Sequence, residues 1–415
     1  MMEPEYVTAP KGLQLPLGAE GAVDVFGIWQ RIAGVNRLDE LPPVPYRVPA
    51  HRGLSAFLEI HHGETIEPIV SREQWQRKRR LLRENLLWLL GDRPTAPATV
   101  SARTVFETAC RGFVRRKLRL QIEREVSSKI LFESANNGHT RRRIRLTLES
   151  EAVPAYLCVP TNGRGPHPAV ICLHQFNVEE GAREAVGLDI RHSDLAFAEE
   201  LARRGFVTLA FDLPGYGERR VENQSAAEGL VGFYRAHPRG SLLGQSTWEV
   251  SRAIDYLASL EGIDPRRIGC MGHLLGGIVG IVTAALDERL QAVVASAGCA
   301  MFRCPSQQAT AERIWLQGTG LLPVLGFFCR EHADHLPIEF HEILAQIAPR
   351  PLYLCTPQRS DFIPRESVEE VARHLEYLYA FLGCPERLSV NYPNYFIYFP
   401  EDLREEAYHW LTRFL

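Results

Sequence analysis

The stretch GCMGHLLGG at residues 269–277 decides the fold class of this chain. A short apolar strand leads into it, glycines bracket a sharp turn, and the apolar helix IVGIVTAAL follows. This is the setting of the G-x-S-x-G nucleophile elbow, in which a serine sits on a strained strand-to-helix turn. Leu274 occupies the serine position. The backbone pattern therefore predicts a nucleophile elbow, whereas the leucine side chain has no atom that could act as a nucleophile.

Short apolar strands alternate with helices from residue 167 onward. The strands are HPAVICLH, FVTLAFD, RIGCMG, QAVVASAG, PLYLCT and RLSVNYP. This alternation predicts an α/β fold with a mostly parallel central sheet and helices on both faces. Residues 300–340 interrupt the rhythm, so we predict an insertion there over the carboxyl edge of the sheet, where ligands bind in open α/β sheets.

The chain before residue 167 is organised differently. Residues 103–160 alternate apolar and polar side chains, which predicts antiparallel strands. A helix is expected to begin at Ser71, because Ser71 and Gln74 form a capping-box pattern, and to end at Gly91. We therefore predict an irregular and helical N-terminal extension over 1–102 and the main domain over 103–415.

Composition excludes several classes of partner. The net charge of −3 and the pI near 6.6 argue against nucleic acid. No apolar run reaches the roughly 18 residues of a membrane span, and residues 1–18 lack the pattern of a secretory signal. The nine cysteines are scattered, as expected of free thiols. We expect a cytoplasmic protein without a membrane partner, and homo-oligomerisation stays open.

Five segments in order resemble one superfamily. They are LHQFN (173–177), ELARRGFVTLAFDLPGYGER (200–219), GIDPRRIGCMGHLLGG (262–277), LAQIAPRPLYL (344–354) and AYHWLTRFL (407–415). Together they resemble the α/β-hydrolases, in particular the acetyl-xylan-esterase-like and dienelactone-hydrolase-like branch, over roughly residues 145–415. The resemblance implies the α/β-hydrolase fold, with a serine, a carboxylate and a histidine following three successive strands.

The resemblance assigns the three triad positions. The carboxylate falls on Asp361, which follows the strand in PLYLCTPQRSDFIP. The match of Phe399 and Pro400 to the family pattern places the histidine at Ile397. With Leu274 at the serine position, two of the three triad members are aliphatic. Removing any member leaves on the order of 10³–10⁴-fold catalysis over water, so the sequence predicts no ordinary serine esterase.

Further side chains are candidates for the pocket. By resemblance, the amide of Leu275 and the loop carrying His174 and Gln175 form the oxyanion hole. His174 either shapes that loop or moves a proton, and His273 either packs or acts as a base. Tyr395 and Tyr398 flank the missing histidine. Each of these two tyrosines either packs or donates a hydrogen bond to a ligand.

Other reactive residue types carry weaker patterns. Cys270 and Cys299 have no histidine that spacing assigns as a base. His409, on the last helix, is too far along the chain to replace the missing histidine. The segment HADHLPIEFHEIL (332–344) is rich in histidine and acid, but Pro337 interrupts any helix that would align them. We predict no metal and no cofactor.

Two aliphatic replacements suit a pocket that binds a small apolar molecule without cleaving it. We therefore predict a cofactor-free, non-hydrolytic enzyme that catalyses cyclisation, elimination, decarboxylation or isomerisation, with Asp361 and His174 as candidate proton carriers. One alternative is a catalytically silent pseudo-hydrolase that binds or regulates. Another is an esterase or lactonase with a surrogate nucleophile.

Overall fold

The computed structural model describes residues 25–47, 57–63, 65–94, 99–136, 139–189, 193–221, 226–299, 301–302, 320–330, 335–359, 365–395 and 398–415. Asp361, Ile397 and most of the predicted 300–340 insertion lie outside the described residues.

Strands supply the frame of the molecule. They are β1 (Glu59–His62), β2 (Thr65–Pro68), β3 (Thr99–Cys110), β4 (Phe113–Asn136), β5 (His139–Pro160), β6 (His167–Leu173), β7 (Val207–Phe211), β8 (Ile263–His273), β9 (Leu290–Ser296), β10 (Leu352–Cys355) and β11 (Leu388–Asn391). β1 and β2 form a separate hairpin. The others form a nine-stranded sheet in the order β11-β10-β9-β8-β6-β7-β5-β4-β3.

Helices connect and cover these strands. They are α1 (Val25–Ala33), α2 (Arg72–Leu90), α3 (Ala182–Ala185), α4 (Phe197–Arg203), α5 (Ala226–Ala236), α6 (Leu242–Ser259), α7 (Leu275–Leu286), α8 (Leu325–Arg330), α9 (Phe340–Ala345), α10 (Arg365–Phe381) and α11 (Glu401–Phe414). Among the described helices, none combines the length and apolarity that crossing a bilayer requires.

The sheet is parallel from β11 through β7 and antiparallel from β7 through β3. This confirms the mostly parallel sheet and the antiparallel segment that the sequence predicted. Helices α2, α6 and α7 bury one face of the sheet in one apolar cluster. Helices α4 and α11 bury the other face in a second cluster. Because helices cover both faces of the sheet, the parallel strands are continuous apolar runs in the sequence.

The N-terminal helix α2 has the ends that its sequence predicted. The Ser71 hydroxyl accepts from the amide of Gln74, whose side chain accepts in turn from the Ser71 amide. Gly91 ends the helix with a φ of 74°, a conformation that favours glycine. The predicted boundary between residues 102 and 103 falls inside β3. That domain division stays a prediction.

His174 joins the carboxyl ends of two neighbouring strands, β6 and β7. Its Nδ1 donates to the carbonyl of Gln175 over 2.7 Å, and its Nε2 accepts from the amide of Leu213 over 3.1 Å. The acceptor role of Nε2 requires the neutral ring. Burial disfavours the charged ring and lowers the pKa of His174 to about 4, although the bond to the Gln175 carbonyl acts in the opposite direction.

This buried imidazole predicts that acid destabilises the fold. Between the unfolded pKa of 6.5 and the folded pKa of about 4, the unfolded chain binds the extra proton. The stabilisation is complete above about pH 6.5 and is lost as the pH falls towards 4. We expect His174 to contribute a loss of roughly 2 kcal/mol between about pH 7 and pH 5. In urea unfolding, the change in unfolding free energy over this range should therefore differ by that amount between wild type and His174→Gln, whereas Asp212, whose pKa is raised, contributes equally to both.

The control for this measurement is His409→Gln, since His409 is exposed on α11. This variant should keep the wild-type pH dependence of the unfolding free energy. A His174→Gln variant that loses as much stability on acidification as wild type would contradict the assignment of a buried, neutral His174.

Candidate active site

The turn between β8 and α7 retains the backbone of a nucleophile elbow. Leu274 has φ 49° and ψ −109°, a backbone conformation that residues other than glycine rarely adopt. Such strain costs on the order of 1–3 kcal/mol and persists where the surroundings impose it. The Leu274 amide donates to Ser296 O over 2.8 Å, and its carbonyl accepts from Ile278 N over 3.0 Å. The elbow is therefore held from both sides.

Two glycines allow this turn to seat the start of α7 against the end of β6. A Cβ atom at Gly276 would lie 2.1 Å from the carbonyl oxygen of Leu173. A Cβ atom at Gly272 would lie 2.2 Å from the carbonyl carbon of Gly276. Neither position has room for a side chain. The close approach brings the first amides of α7 to the loop that follows β6.

Two backbone amides at this junction are candidate donors to a ligand. The N–H groups of Leu275 and Gln175 donate to no residue within the described ranges. The first amides of a helix lack intrahelical partners and carry partial positive charge. By resemblance, the sequence assigned the amide of Leu275 and the loop at His174 and Gln175 to an oxyanion hole, and that assignment stays a prediction.

The loop carrying Gln175 is fixed by a carboxylate on α3. Gln175 Nε2 donates to Glu184 over 2.9 Å, and Asn177 Nδ2 donates to the same oxygen over 3.0 Å. The side-chain nitrogen of Gln175 is thus bonded to Glu184, and its main-chain N–H is the candidate donor. The hydrogen bonds of His174 hold the same loop. Of the two roles left open for His174, this geometry favours shaping the loop over moving a proton.

His273 lies beside the elbow in a buried polar pair. Its Nδ1 is 3.1 Å from the hydroxyl of Ser296, and both residues are almost completely buried. Its ring is parallel to that of Phe399, with 6.1 Å between centroids. The contact brings the loop after β11 to the elbow, as the match at Phe399 required. Of the two roles left open for His273, these contacts favour packing over action as a base.

Tyr216 is a further candidate site residue, which sequence reasoning missed. It follows β7 in FDLPGYG, and its ring centroid lies 5.2 Å from that of His174. Its hydroxyl has no hydrogen-bond partner within the described part of the chain. Burial raises the pKa of Tyr216, so the hydroxyl keeps its proton and can donate. The available signal was its position, directly after the carboxyl end of a parallel strand.

Buried charges brace the loop that carries Tyr216. Asp212 accepts from the amides of Ala182 and Glu218 over 2.8 and 2.9 Å, and burial raises its pKa to about 6. Arg219 donates to both oxygens of Glu249, over 2.6 and 2.9 Å, and to the Asp212 carbonyl over 3.0 Å. A bidentate, buried pair of this kind fixes a loop geometrically.

Of the remaining sequence candidates, the structure describes Tyr395, Tyr398 and Leu274. Tyr395 is exposed, and its hydroxyl is 3.4 Å from Asp402. Tyr398 is half-buried. Leu274 is 6% exposed and belongs to the same apolar cluster as Leu275. The roles proposed for Asp361 and Ile397 stay predictions, because neither residue is described.

The cysteines near the elbow are unsuited to attack. Burial raises the pKa of Cys270 and of Cys299 to about 12, so both remain thiols at neutral pH. In the histidine-rich segment, Glu339 caps α9 and also accepts from the amide of Phe302 over 2.7 Å. The described ranges hold no group of three or more side chains placed to bind a metal.

Comparison with known proteins identifies relatives. A family model described as "Glucuronyl esterase, fungi" matches residues 144–383. YtaP of Bacillus subtilis, described as a hydrolase, is 28% identical over 237 residues, which cover 56% of this chain and 74% of that protein. The 4-O-methyl-glucuronoyl methylesterase 1 of Sodiomyces alcalophilus is 30% identical over 153 residues, 32% of this chain and 30% of that protein. The chain thus spans less than a third of that methylesterase.

A solved structure has the same fold. The glucuronoyl esterase from Solibacter usitatus matches with a TM-score of 0.61 at 15% identity, over 90% of this chain and 98% of that one. This likeness confirms the α/β-hydrolase fold that the resemblance implied.

These comparisons correct the functional prediction. The non-hydrolytic enzyme and the catalytically silent alternative are both wrong, because the family model and the methylesterase relatives point to ester hydrolysis. That prediction gave more weight to the side chains of Leu274 and Ile397 than to the retained elbow and loop. The esterase alternative with a surrogate nucleophile fits better, and the family suggests a small-molecule or carbohydrate-ester substrate. Since the match covers more than half of its 415 residues, the chain belongs to the glucuronyl esterase family.

Proposed function

We propose that this protein hydrolyses a carboxylic ester of a glucuronic acid, with water as the attacking nucleophile. The observation that carries the proposal is the pair of available amides, Leu275 and Gln175, on a retained elbow. The substrate class is supported by relatives named 4-O-methyl-glucuronoyl methylesterase. A methyl ester is therefore the first substrate to test.

Water is proposed because the described side chains at the elbow offer no attacking group. Leu274 has no reactive atom, and the Ser296 hydroxyl is fully buried against His273. The thiols of Cys270 and Cys299 stay protonated. In the proposed step the water oxygen bonds to the ester carbonyl carbon. The carbon–alkoxy bond then breaks, and the alcohol leaves with a proton.

A base must take the proton of the attacking water. Asp361 is our candidate, on the strength of its position after β10 and its match to the carboxylate of the family pattern. Its counterpart in a complete triad orients a histidine. Without that histidine, we propose that the carboxylate accepts the proton of the water itself. A positioned base of this kind contributes about 10²–10⁴-fold to the rate.

The negative charge on the carbonyl oxygen requires donors. The amides of Leu275 and Gln175 supply two, and the protonated hydroxyl of Tyr216 supplies a third. Fixed donors of this kind need no reorganisation when the charge develops. The braces from Asp212 and Arg219 hold the loop that carries the tyrosine.

Tyr216→Phe tests the third donor. Removing one oxyanion donor costs on the order of 10²-fold in kcat. We expect the variant to hydrolyse the methyl ester of glucuronic acid about 10- to 100-fold more slowly, with little change in KM. The control is Tyr377→Phe, since Tyr377 is 63% exposed on α10. Equal rates for wild type and Tyr216→Phe would exclude the tyrosine from the site.

Asp361→Asn tests the base. The amide cannot accept the proton, so kcat should fall at least about 100-fold, while KM and the melting temperature stay near wild type. Glu401→Gln, on the exposed start of α11, serves as the charge-matched control. If Asp361→Asn retains full kcat, another group is the base. If wild type releases no glucuronic acid, the proposed function itself fails.

A further inference from the structure

A cavity of about 670 Å³ lies between α2, the segment 37–47 and the chain before α9. Its size is within the range of small-molecule sites. None of the residues that line it belongs to the elbow or the oxyanion loop. The lining combines one aromatic ring, charged side chains and an apolar remainder at positions 38 and 41–44; the others are Arg37, Asp39, Arg47, Trp88, His335 and Pro337.

Trp88 presents a fixed aromatic surface to this cavity. Its indole Nε1 donates to the Pro42 carbonyl over 2.8 Å, and its ring meets Phe328 edge-on at 6.2 Å between centroids. The polar atom of the indole is therefore already bonded. What Trp88 offers to a ligand is the flat, apolar ring, which suits the face of another ring.

The charged side chains give the cavity a positive balance. Arg37 pairs with Asp39 over 2.6 Å, and both side chains are mostly exposed. Arg47 makes no hydrogen bond or ion pair with any residue inside the described ranges. Its planar guanidinium matches the geometry of a carboxylate. The cavity therefore favours an anion, with Arg47 as the available partner.

The cavity lies towards the carboxyl edge of the parallel strands, which is also the edge where the elbow is found. Helix α6 runs back to the start of β8, so its first residues lie at the carboxyl edge of the parallel strands. There the hydroxyl of Ser241 donates to the carbonyl of Leu90 over 2.7 Å, which ties the end of α2 to this edge. Trp88 is in that same last turn of α2.

We propose that this cavity is an accessory site for an acidic sugar, separate from the elbow. The carboxylate of the sugar binds Arg47, and the sugar ring lies against Trp88. The choice of a uronic acid among ring carboxylates rests on the proposed function. The anion preference and the aromatic contact rest on the cavity alone. Such a site would hold a second uronic acid unit of a longer substrate.

Titration calorimetry with D-glucuronate, D-glucose and benzoate tests the proposal. We expect glucuronate to bind wild type in the millimolar range and glucose to bind at least about tenfold more weakly, because only glucuronate carries a charge for Arg47. Arg47→Gln should weaken glucuronate binding by about tenfold or more. The matched control is Arg103→Gln, an exposed arginine on β3, which should bind like wild type.

Three results would overturn the proposal. They are wild-type affinity for glucuronate in Arg47→Gln, equal affinity for glucose and glucuronate, and benzoate binding as tightly as glucuronate. Trp88→Phe keeps a flat ring and should retain most of the affinity, whereas Trp88→Ala should lose it. If Trp88→Ala fails to fold, the Arg47 and Trp88→Phe variants still decide.

The accessory site and the proposed hydrolysis fail separately. Tyr216→Phe should leave the Arg47-dependent binding of glucuronate unchanged, because Tyr216 does not line the cavity. Binding that depends on Arg47 in a protein that hydrolyses no ester would retain the site and reject the function. Hydrolysis without any Arg47-dependent binding would retain the proposed function and reject the accessory site.

Discussion

The contact between the start of α7 and the end of β6 is the constraint on which the site depends. Gly276 approaches the carbonyl of Leu173 so closely that a Cβ atom would lie 2.1 Å from it. This approach forces the strained backbone at Leu274 and brings the amide of Leu275 towards the loop of Gln175. The turn therefore keeps its geometry although the residue at its tip carries no reactive group.

Around this contact, buried polar groups fix the loops through hydrogen bonds. His174 is neutral and bonded at both nitrogens, and Glu184 holds the following loop. Asp212 and Arg219 brace the next loop along the edge. The donors that we propose for a substrate are two main-chain amides and the hydroxyl of Tyr216. Such a set stabilises an oxyanion, whichever nucleophile attacks.

Sequence reasoning predicted the frame well because local rules determine it. The capping box at Ser71, the buried strands and the glycines of the elbow each follow from backbone geometry. Tyr216 was missed because its role depends on a contact with His174, which is 42 positions away in the chain. The cavity was missed for the same reason, since Arg47, Trp88 and His335 meet only in the folded chain. The functional prediction was wrong because it relied on the side chains at positions 274 and 397 more than on the retained backbone of the elbow.

The central claim is that an elbow without a nucleophilic side chain supports ester hydrolysis by water. Intact-protein mass spectrometry during turnover of the methyl ester of glucuronic acid tests it most directly. The account predicts that free glucuronic acid accumulates while the protein keeps its unmodified mass. An acyl adduct on the protein, above all on Ser296, would contradict attack by water, and the absence of any product would contradict hydrolysis.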